Sequence, residues 1–341
     1  MMTLYWQRYK PLLMLLLVLL LIYVTILFAL FFRAKIAHPF SRHVLFGAWT
    51  QGFFNPITQT LHPGKLVQFE NLIDKKVSIA HYYLGWEWLT SPKLLQQFNT
   101  LHAHGWQPML NVNPYYFSQC PASSLPLYRA IARGKCDLFL TQAGKNLAKI
   151  QQPFFFVFAW EMNNEQNSWS ITTTGSTPQD FIAAWRHMYA IFKKENVTHI
   201  IWVFCPNVPD NPTMPYTTFY PGNAYVDWVG LDGYNWGTTQ SWSNWESFSQ
   251  IFSGSYTDIT HLAPNKPLLI AEVNTTDKGG NKASWYTDML TQQIPNNFPR
   301  IDALVIFNED RTQQEQVNWQ VNTTQSSLKA FLQGIHLPTY Q

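Results

Sequence analysis

From residue 43 onward, short apolar runs alternate with stretches whose apolar residues recur at helical spacing. The runs are VLFGAW (44–49), VSIAHYYLGW (77–86), WQPMLNV (106–112), PFFFVFAW (153–160), THIIWVF (198–204), VDWVGLDGY (226–234), KPLLIAE (266–272) and IDALVIFN (301–308). Each is short, rich in β-branched and aromatic residues, and apolar at consecutive positions. That suits strands buried on both faces, as in a parallel sheet. Between them, PKLLQQFNTLHAH (92–104), DLFLTQAGKNLAKI (137–150) and PQDFIAAWRHMYAIFKKEN (178–196) carry amphipathic helical patterns. The last follows Thr177-Pro178, an N-cap with proline at the first helical position.

Eight strands alternating with helices predict an α/β fold, a (β/α)₈ barrel over residues 43–341. A doubly wound open sheet is the rival, but it calls for a Gly-rich phosphate turn after the first strand. FGAWTQG contains no G-x-G-x-x-G. In a barrel, the C-terminal ends of the strands meet at one mouth. Those ends carry Trp49, Trp86, Glu87, Asn111, Glu161, Asn207, Asp232, Tyr234, Glu272 and Asn308.

Two of these positions pose a physical problem. FFFVFAW (154–160) runs seven apolar residues straight into Glu161, and KPLLIAE ends in Glu272. An ionised carboxylate beside such a core is costly unless something pairs with it or water reaches it. The two acids are 111 residues apart, three βα units of about 37, which places them at the ends of the fourth and seventh strands. From there they can face each other across a ligand, as glycoside hydrolysis requires of two carboxylates. Spacing alone equally allows two unrelated strand-end acids in surface ion pairs.

Composition narrows the ligand. Residues 1–42 hold five basic and no acidic side chains, so the remaining chain has 18 basic against 20 acidic, a net of about −2. That is no footprint for nucleic acid. Charged residues make up 13% and aromatics 16%, which suits a neutral, hydroxylated ligand stacked on indole and phenol rings. Trp86 and Trp236 are candidate sugar platforms, with core packing as the alternative, and Asn207 is a candidate cleft residue. Asp232 either orients a catalytic carboxylate or caps a loop. His102 and His104 are two apart on a helix and do not share a face, so no metal site is expected.

Residues 11–32, PLLMLLLVLLLIYVTILFALFF, form 22 uncharged residues, enough to span a bilayer core of ~30 Å at ~1.5 Å per residue. The run exceeds a signal-peptide core and lacks a matching cleavage site. It reads as a single N-terminal transmembrane helix, an anchor within residues 1–42. Basic residues flank both sides, so charge does not set its orientation. Of three cysteines, Cys205 reads as a small core residue. Cys120 and Cys136 could be joined in an oxidising compartment, but sequence does not show their geometry.

Several stretches together carry a family resemblance: IARGKCDLFLTQAGKNLAK, EMNNEQNSW, IIWVFCPN, YPGNAYVDWVGLDGYNW, KPLLIAE and ALVIFN. Over roughly residues 44–320 the chain resembles glycoside hydrolase family 26, the β-mannanases and their relatives, a retaining clan of (β/α)₈ enzymes. The resemblance implies that Glu161 is the general acid/base and Glu272 the nucleophile. It also implies that Tyr234 lies beside the nucleophile, and that Asn163 and Trp169 line the sugar cleft. Three features depart from the mannanase pattern. Trp160, not His, precedes the acid, Val157, Phe158 and Ala159 supply no Arg before it, and the segment NNEQNS lengthens the spacing to the following Trp. These touch the walls of the reactive subsite.

The expectation is a membrane-anchored retaining endo-β-glycanase acting on a neutral polysaccharide (β-mannan, mixed-linkage glucan or exopolysaccharide). It needs no cofactor and no metal. The catalytic domain is expected to be monomeric, held at the cell membrane through residues 11–32 with its barrel extracytoplasmic. A non-hydrolytic polysaccharide-binding protein and a transglycosylase on the same fold are the alternatives.

Overall fold

The computed structural model describes residues 43–208 and 214–341. Eight parallel strands close into a barrel: β1 (Leu45–Thr50), β2 (Ile79–Gly85), β3 (Gln107–Asn113), β4 (Phe154–Phe158), β5 (Ile200–Phe204), β6 (Trp228–Asn235), β7 (Leu268–Thr275) and β8 (Ile301–Asn308). Each strand pairs with its chain neighbours, and β8 returns to β1 with Leu45 opposite Ala303 and Thr50 opposite Asn308. All eight runs expected as strands are strands, and the (β/α)₈ architecture holds.

The helices that cover the barrel are α1 (Pro63–Ile73), α2 (Pro92–Ala103), α3 (Leu127–Ala132), α4 (Asp137–Leu147), α5 (Pro178–Lys194), α6 (Phe248–Leu262), α7 (Lys282–Asp288) and α8 (Gln325–Ile335). Helix α5 starts as its sequence predicts. The Thr177 hydroxyl accepts from the Asp180 amide at 3.2 Å, while the Asp180 carboxylate accepts from the Thr177 amide at 3.0 Å. This reciprocal cap satisfies two amides that the first helical turn leaves unpaired.

Strand β4 explains its own composition. Phe155 and Val157 point into the barrel with Met109, Val203, Leu269 and Ala303. Phe154, Phe156 and Phe158 point outward under the helices, where Phe154 meets Phe98 edge-on at 4.9 Å and Phe158 meets Trp185 at 6.0 Å. Both faces are buried, so every position is apolar. Each ring contributes about 1.5–3 kcal/mol by leaving water.

Cys120 and Cys136 form a disulfide, with Cα atoms 4.6 Å apart, tying the loop after β3 to the start of α4. Cys205 is free and buried. Among the described residues no helix is long and apolar enough to cross a membrane. The segment read as an anchor, residues 11–32, lies outside the described residues.

Candidate active site

Two local distortions turn the acids into the barrel mouth. Beyond β4, Ala159 and Glu161 both adopt left-handed backbone, each with φ of 50°, a conformation costing roughly 1–2 kcal/mol for a residue with a Cβ. The neighbouring strands hold them there. The Ala159 amide donates to Val112 O at 2.7 Å, and the Glu161 amide donates to Cys205 O at 2.8 Å. Strand β7 is re-aimed by a bulge. Ile270 sits opposite Leu231, but the next pair is Asp232 with Glu272, and on the other side Leu304–Ile270 is followed by Ile306–Val273. One extra residue on β7 breaks the alternation, so Glu272 follows the inward-facing Ala271 into the mouth.

The result is a cluster in which carboxylate oxygens of Glu161, Asp232 and Glu272 lie within 4.8 Å of one another. Glu272 is 5% exposed and Asp232 fully buried, whereas Glu161 is partly open to the cleft. Donors converge on Glu272. Asn111 Nδ2 donates to Oε1 at 2.8 Å and the Tyr234 hydroxyl donates to Oε2 at 2.6 Å. The Tyr83 hydroxyl is a further hydrogen-bond partner. His81 Nε2 lies 3.9 Å from Oε1, but burial pushes the imidazole down to about 3, so it is neutral. On Glu161, Asn164 Nδ2 donates to Oε2 at 2.9 Å and Asn167 Nδ2 to the same oxygen at 3.4 Å.

Three carboxyls this close and this dry cannot all ionise. Burial, then the charges of Glu272 and Glu161, raises Asp232 well above the usual carboxylate range. Burial also raises Glu161, against the Asn164 and Asn167 hydrogen bonds. Burial and the Glu161 charge push Glu272 up to about 8, while its bonds to Tyr234 and Tyr83 and the nearby Arg311 pull it down. Amide and phenol donors aimed at both Glu272 oxygens favour its anion. The retained protons therefore belong on Asp232, whose Oδ1 accepts from Cys205 Sγ at 3.3 Å, and on Glu161. The same three acids are the set a cation would use. With both Glu272 oxygens already hydrogen-bonded and Asp232 holding its proton, they favour protons over a metal ion.

The acids open into a cleft of about 1080 Å³. Of the side chains singled out in the sequence, Tyr234, Trp160, Trp169, Trp236 and Asn207 line it with both glutamates. Trp160 and Trp169 pack at 4.3 Å between ring centroids, and Trp169 Nε1 donates to Trp160 O at 2.7 Å. The longer NNEQNS segment therefore still returns its Trp to the cleft. Two placements differ from expectation. Trp86 is fully buried, packed on Phe139 at 5.0 Å, with Nε1 bonded to Tyr115 O at 2.8 Å, so it is core and not a sugar platform. Asn163 does not line the cleft. Its Nδ2 donates to Asn207 O at 2.9 Å and its Oδ1 accepts from Asn207 N at 2.8 Å, which joins the ends of β4 and β5.

Sequence reasoning missed Tyr83, Trp319, Asn164 and Asn167. Tyr83 lies inside the run VSIAHYYLGW and looks like core, while Trp319 sits in a polar stretch beyond the last strand. The polar pair in NNEQN was the signal available for the asparagines, since Asn residues following a buried acid can reach back to it.

Residues 134–297 match the family model of glycosyl hydrolase family 26. Endoglucanase H of Acetivibrio thermocellus is 30% identical over 274 residues, covering 78% of this chain and 28% of that protein. Mannan endo-1,4-beta-mannosidase of Bacillus subtilis is 26% identical over 164 residues, covering 46% of this chain and 40% of that protein. The chain thus spans less than half the length of these relatives. Among solved structures, a β-mannanase from Bacteroides ovatus is similar with a TM-score of 0.63 at 13% identity, covering 88% of this chain and 90% of that one. An endo-beta-1,4-mannanase of Cellulomonas fimi reaches 0.65 at 15% identity, covering 88% and 72%. These two likenesses concern the fold. Sequence matches and barrel agree: the chain carries a glycosyl hydrolase family 26 domain.

Proposed function

We propose that the chain is a retaining endo-β-glycanase that cleaves a neutral β-linked polysaccharide, with Glu161 as acid/base and Glu272 as nucleophile. One observation carries this reading: carboxylate oxygens of the two glutamates lie within 4.8 Å in a cleft lined by aromatic rings. Retaining glycosidases hold their carboxyl groups about 5–5.5 Å apart, and inverting ones about 6.5–9.5 Å to admit a water. Protonated Glu161 gives its proton to the departing glycosidic oxygen while ionised Glu272 attacks the anomeric carbon. Glu161 then takes a proton from water, which displaces Glu272 from the sugar. Tyr234 and Asn111 hold the nucleophile in place and release it as its charge moves to the new bond.

Within this reading we favour a glucan over a mannan: endoglucanase H aligns over 78% of this chain against 46% for the mannosidase, and cleft-lining Trp160 stands where the mannanase-like pattern has His. The same reading places the barrel outside the cell membrane, tethered through residues 11–32. Their 22 uncharged residues support it, as does the Cys120–Cys136 disulfide, which persists in an oxidising compartment.

The test is a reducing-sugar assay of the full chain on mixed-linkage β-glucan, mannans and bacterial exopolysaccharides. Glu161→Gln and Glu272→Gln should each abolish turnover with the fold retained. Wild-type hydrolysis by the double variant would end this reading.

A further inference from the structure

Beyond the two acids the cleft continues along a wall that the reaction itself does not use. From Tyr234 the aromatic contacts run outward to Trp236, at 6.3 Å between ring centroids, and then to Trp242, at 5.5 Å and 59°. Trp242 is 62% exposed. The other large exposed apolar side chains among the described residues are Ile57 and Leu138, and neither lines the cleft. An exposed indole at the edge of a working cleft is apolar surface left in water, which marks a contact site when its position is fixed.

Its backbone is fixed in place. The loop after β6 is clamped on both sides of Trp242. Asn235 Oδ1 accepts from the amides of Gly237 and Glu246 at 3.1 and 3.0 Å, closing the loop on itself. Ser243 Oγ donates to Gly237 O at 2.7 Å, and Gln240 Nε2 donates to Glu315 O at 2.7 Å. Trp285 Nε1 donates to Glu246 O at 2.9 Å. Gly237, with φ of 52°, packs where the Lys278 carbonyl would overlap any Cβ, so the loop lies flush against the segment after β7. The backbone that carries Trp242 is therefore braced, and a ligand stacking on the ring need not order the loop first. Ser243, Asn244 and Gln250, which also line this end of the cleft, offer hydrogen-bond partners for hydroxyl groups.

We propose that Trp242 is the stacking platform of a distal subsite, which binds a sugar unit of the same β-glycan chain beyond those joined by the bond being broken. This deepens the function proposed above and rests on it. A pyranose presents a face of C–H groups that covers an indole as another apolar surface would. Binding energy gained there is remote from the reacting atoms and can be spent on holding the chain in register at the acids. Long chains gain it, and oligosaccharides too short to reach Trp242 do not.

The experiment compares the full chain with its Trp242→Ala and Trp242→Phe variants on mixed-linkage β-glucan and on the shortest oligosaccharide of that polymer still cleaved. For Trp242→Ala, kcat/KM on the polymer should fall about 5–10-fold further than on the short substrate, and Trp242→Phe should recover part of the difference. Equal losses on the two substrates, or an unchanged rate on the polymer, overturn the proposal. Binding is read separately by electrophoresis through gels containing the same polymer, with Glu272→Gln present to prevent cleavage. Added Trp242→Ala should abolish the retardation, and persistent retardation overturns the platform. Absence of turnover by the wild-type chain would sink the hydrolytic function alone, because the gel measurement still decides the subsite.

Discussion

The Tyr234 hydroxyl donates to Oε2 of Glu272 across 2.6 Å, although the two residues come from adjacent strands and are separated by 38 positions in the chain. A phenol with a raised pKa donates to the proposed nucleophile, which acts as the anion, and the bond is strongest when Glu272 is charged. Tyr234→Phe removes that donor, so the Glu272 pKa rises. The acidic limb of the kcat/KM profile should move to higher pH, and kcat/KM at its optimum should fall about 10²-fold. An unmoved acidic limb would show that Tyr234 does not act on the nucleophile.

As the proposed acid, Glu161 must be protonated to act, and burial raises its pKa above the usual carboxylate value against the lowering hydrogen bonds of Asn164 and Asn167. Activity is therefore lost as pH climbs through that raised value. Glu161→Gln should cost about 10³-fold on β-glucan and much less on an aryl glycoside whose leaving group needs no proton. Its remaining activity should lack the alkaline limb. Equal losses on both substrates would rule out a proton-donating role.

The acid cluster should also make itself felt in stability. Burial and the charges of Glu272 and Glu161 raise the folded pKa of Asp232 well above its unfolded value, so the native state binds this proton more tightly. Its contribution is complete below the unfolded pKa and is lost as pH rises through the raised folded value. Asp232→Asn is neutral at every pH and keeps the shape. Its Tm relative to the wild type should climb as pH rises, by about 2–4 °C for about 1 kcal/mol relieved, with the difference vanishing near pH 4. A gap that stayed constant across this range would mean Asp232 is not strained in the fold.

Trp86 and Trp236 look alike in sequence, each closing an apolar run, yet they should behave oppositely. Trp86 is enclosed by Phe117 and Phe139, and Trp86→Ala should cost about 3–5 kcal/mol and lower Tm by about 10 °C. Trp236 is partly exposed in the cleft. Trp236→Ala should raise KM for the polymer with a smaller loss of stability. Calorimetry alongside initial rates separates the two cases.

How far the chain could be read follows from where each signal is local. FFFVFAW suits a strand covered on both faces, and seven similar runs with amphipathic helices between them, with no Gly-rich turn after the first, favoured a closed parallel barrel over a doubly wound open sheet. The ends of those runs named Glu161, Asp232, Tyr234 and Glu272 because an acid or phenol directly after a buried strand must lie at its rim. Trp86 and Asn163 could not be resolved this way. Whether an indole meets solvent or Phe139, or an amide faces the cleft or Asn207, depends on residues 44 to 53 positions away.

Composition and periodicity by themselves determined the strands, the capped helices and the polar rim, since these follow from burying apolar side chains at spacings of two and 3.6 residues. The tertiary structure alone decided that Glu272 faces inward. A strict alternation continued from Ala271 would turn it toward the helices, and the extra residue on β7 that reverses this is visible only as a register shift against β6 and β8. Left-handed backbone at Ala159 and Glu161 is likewise held by carbonyls of other strands. Bulges and strained turns are stabilised by their partners across the sheet, and those partners are distant in the chain.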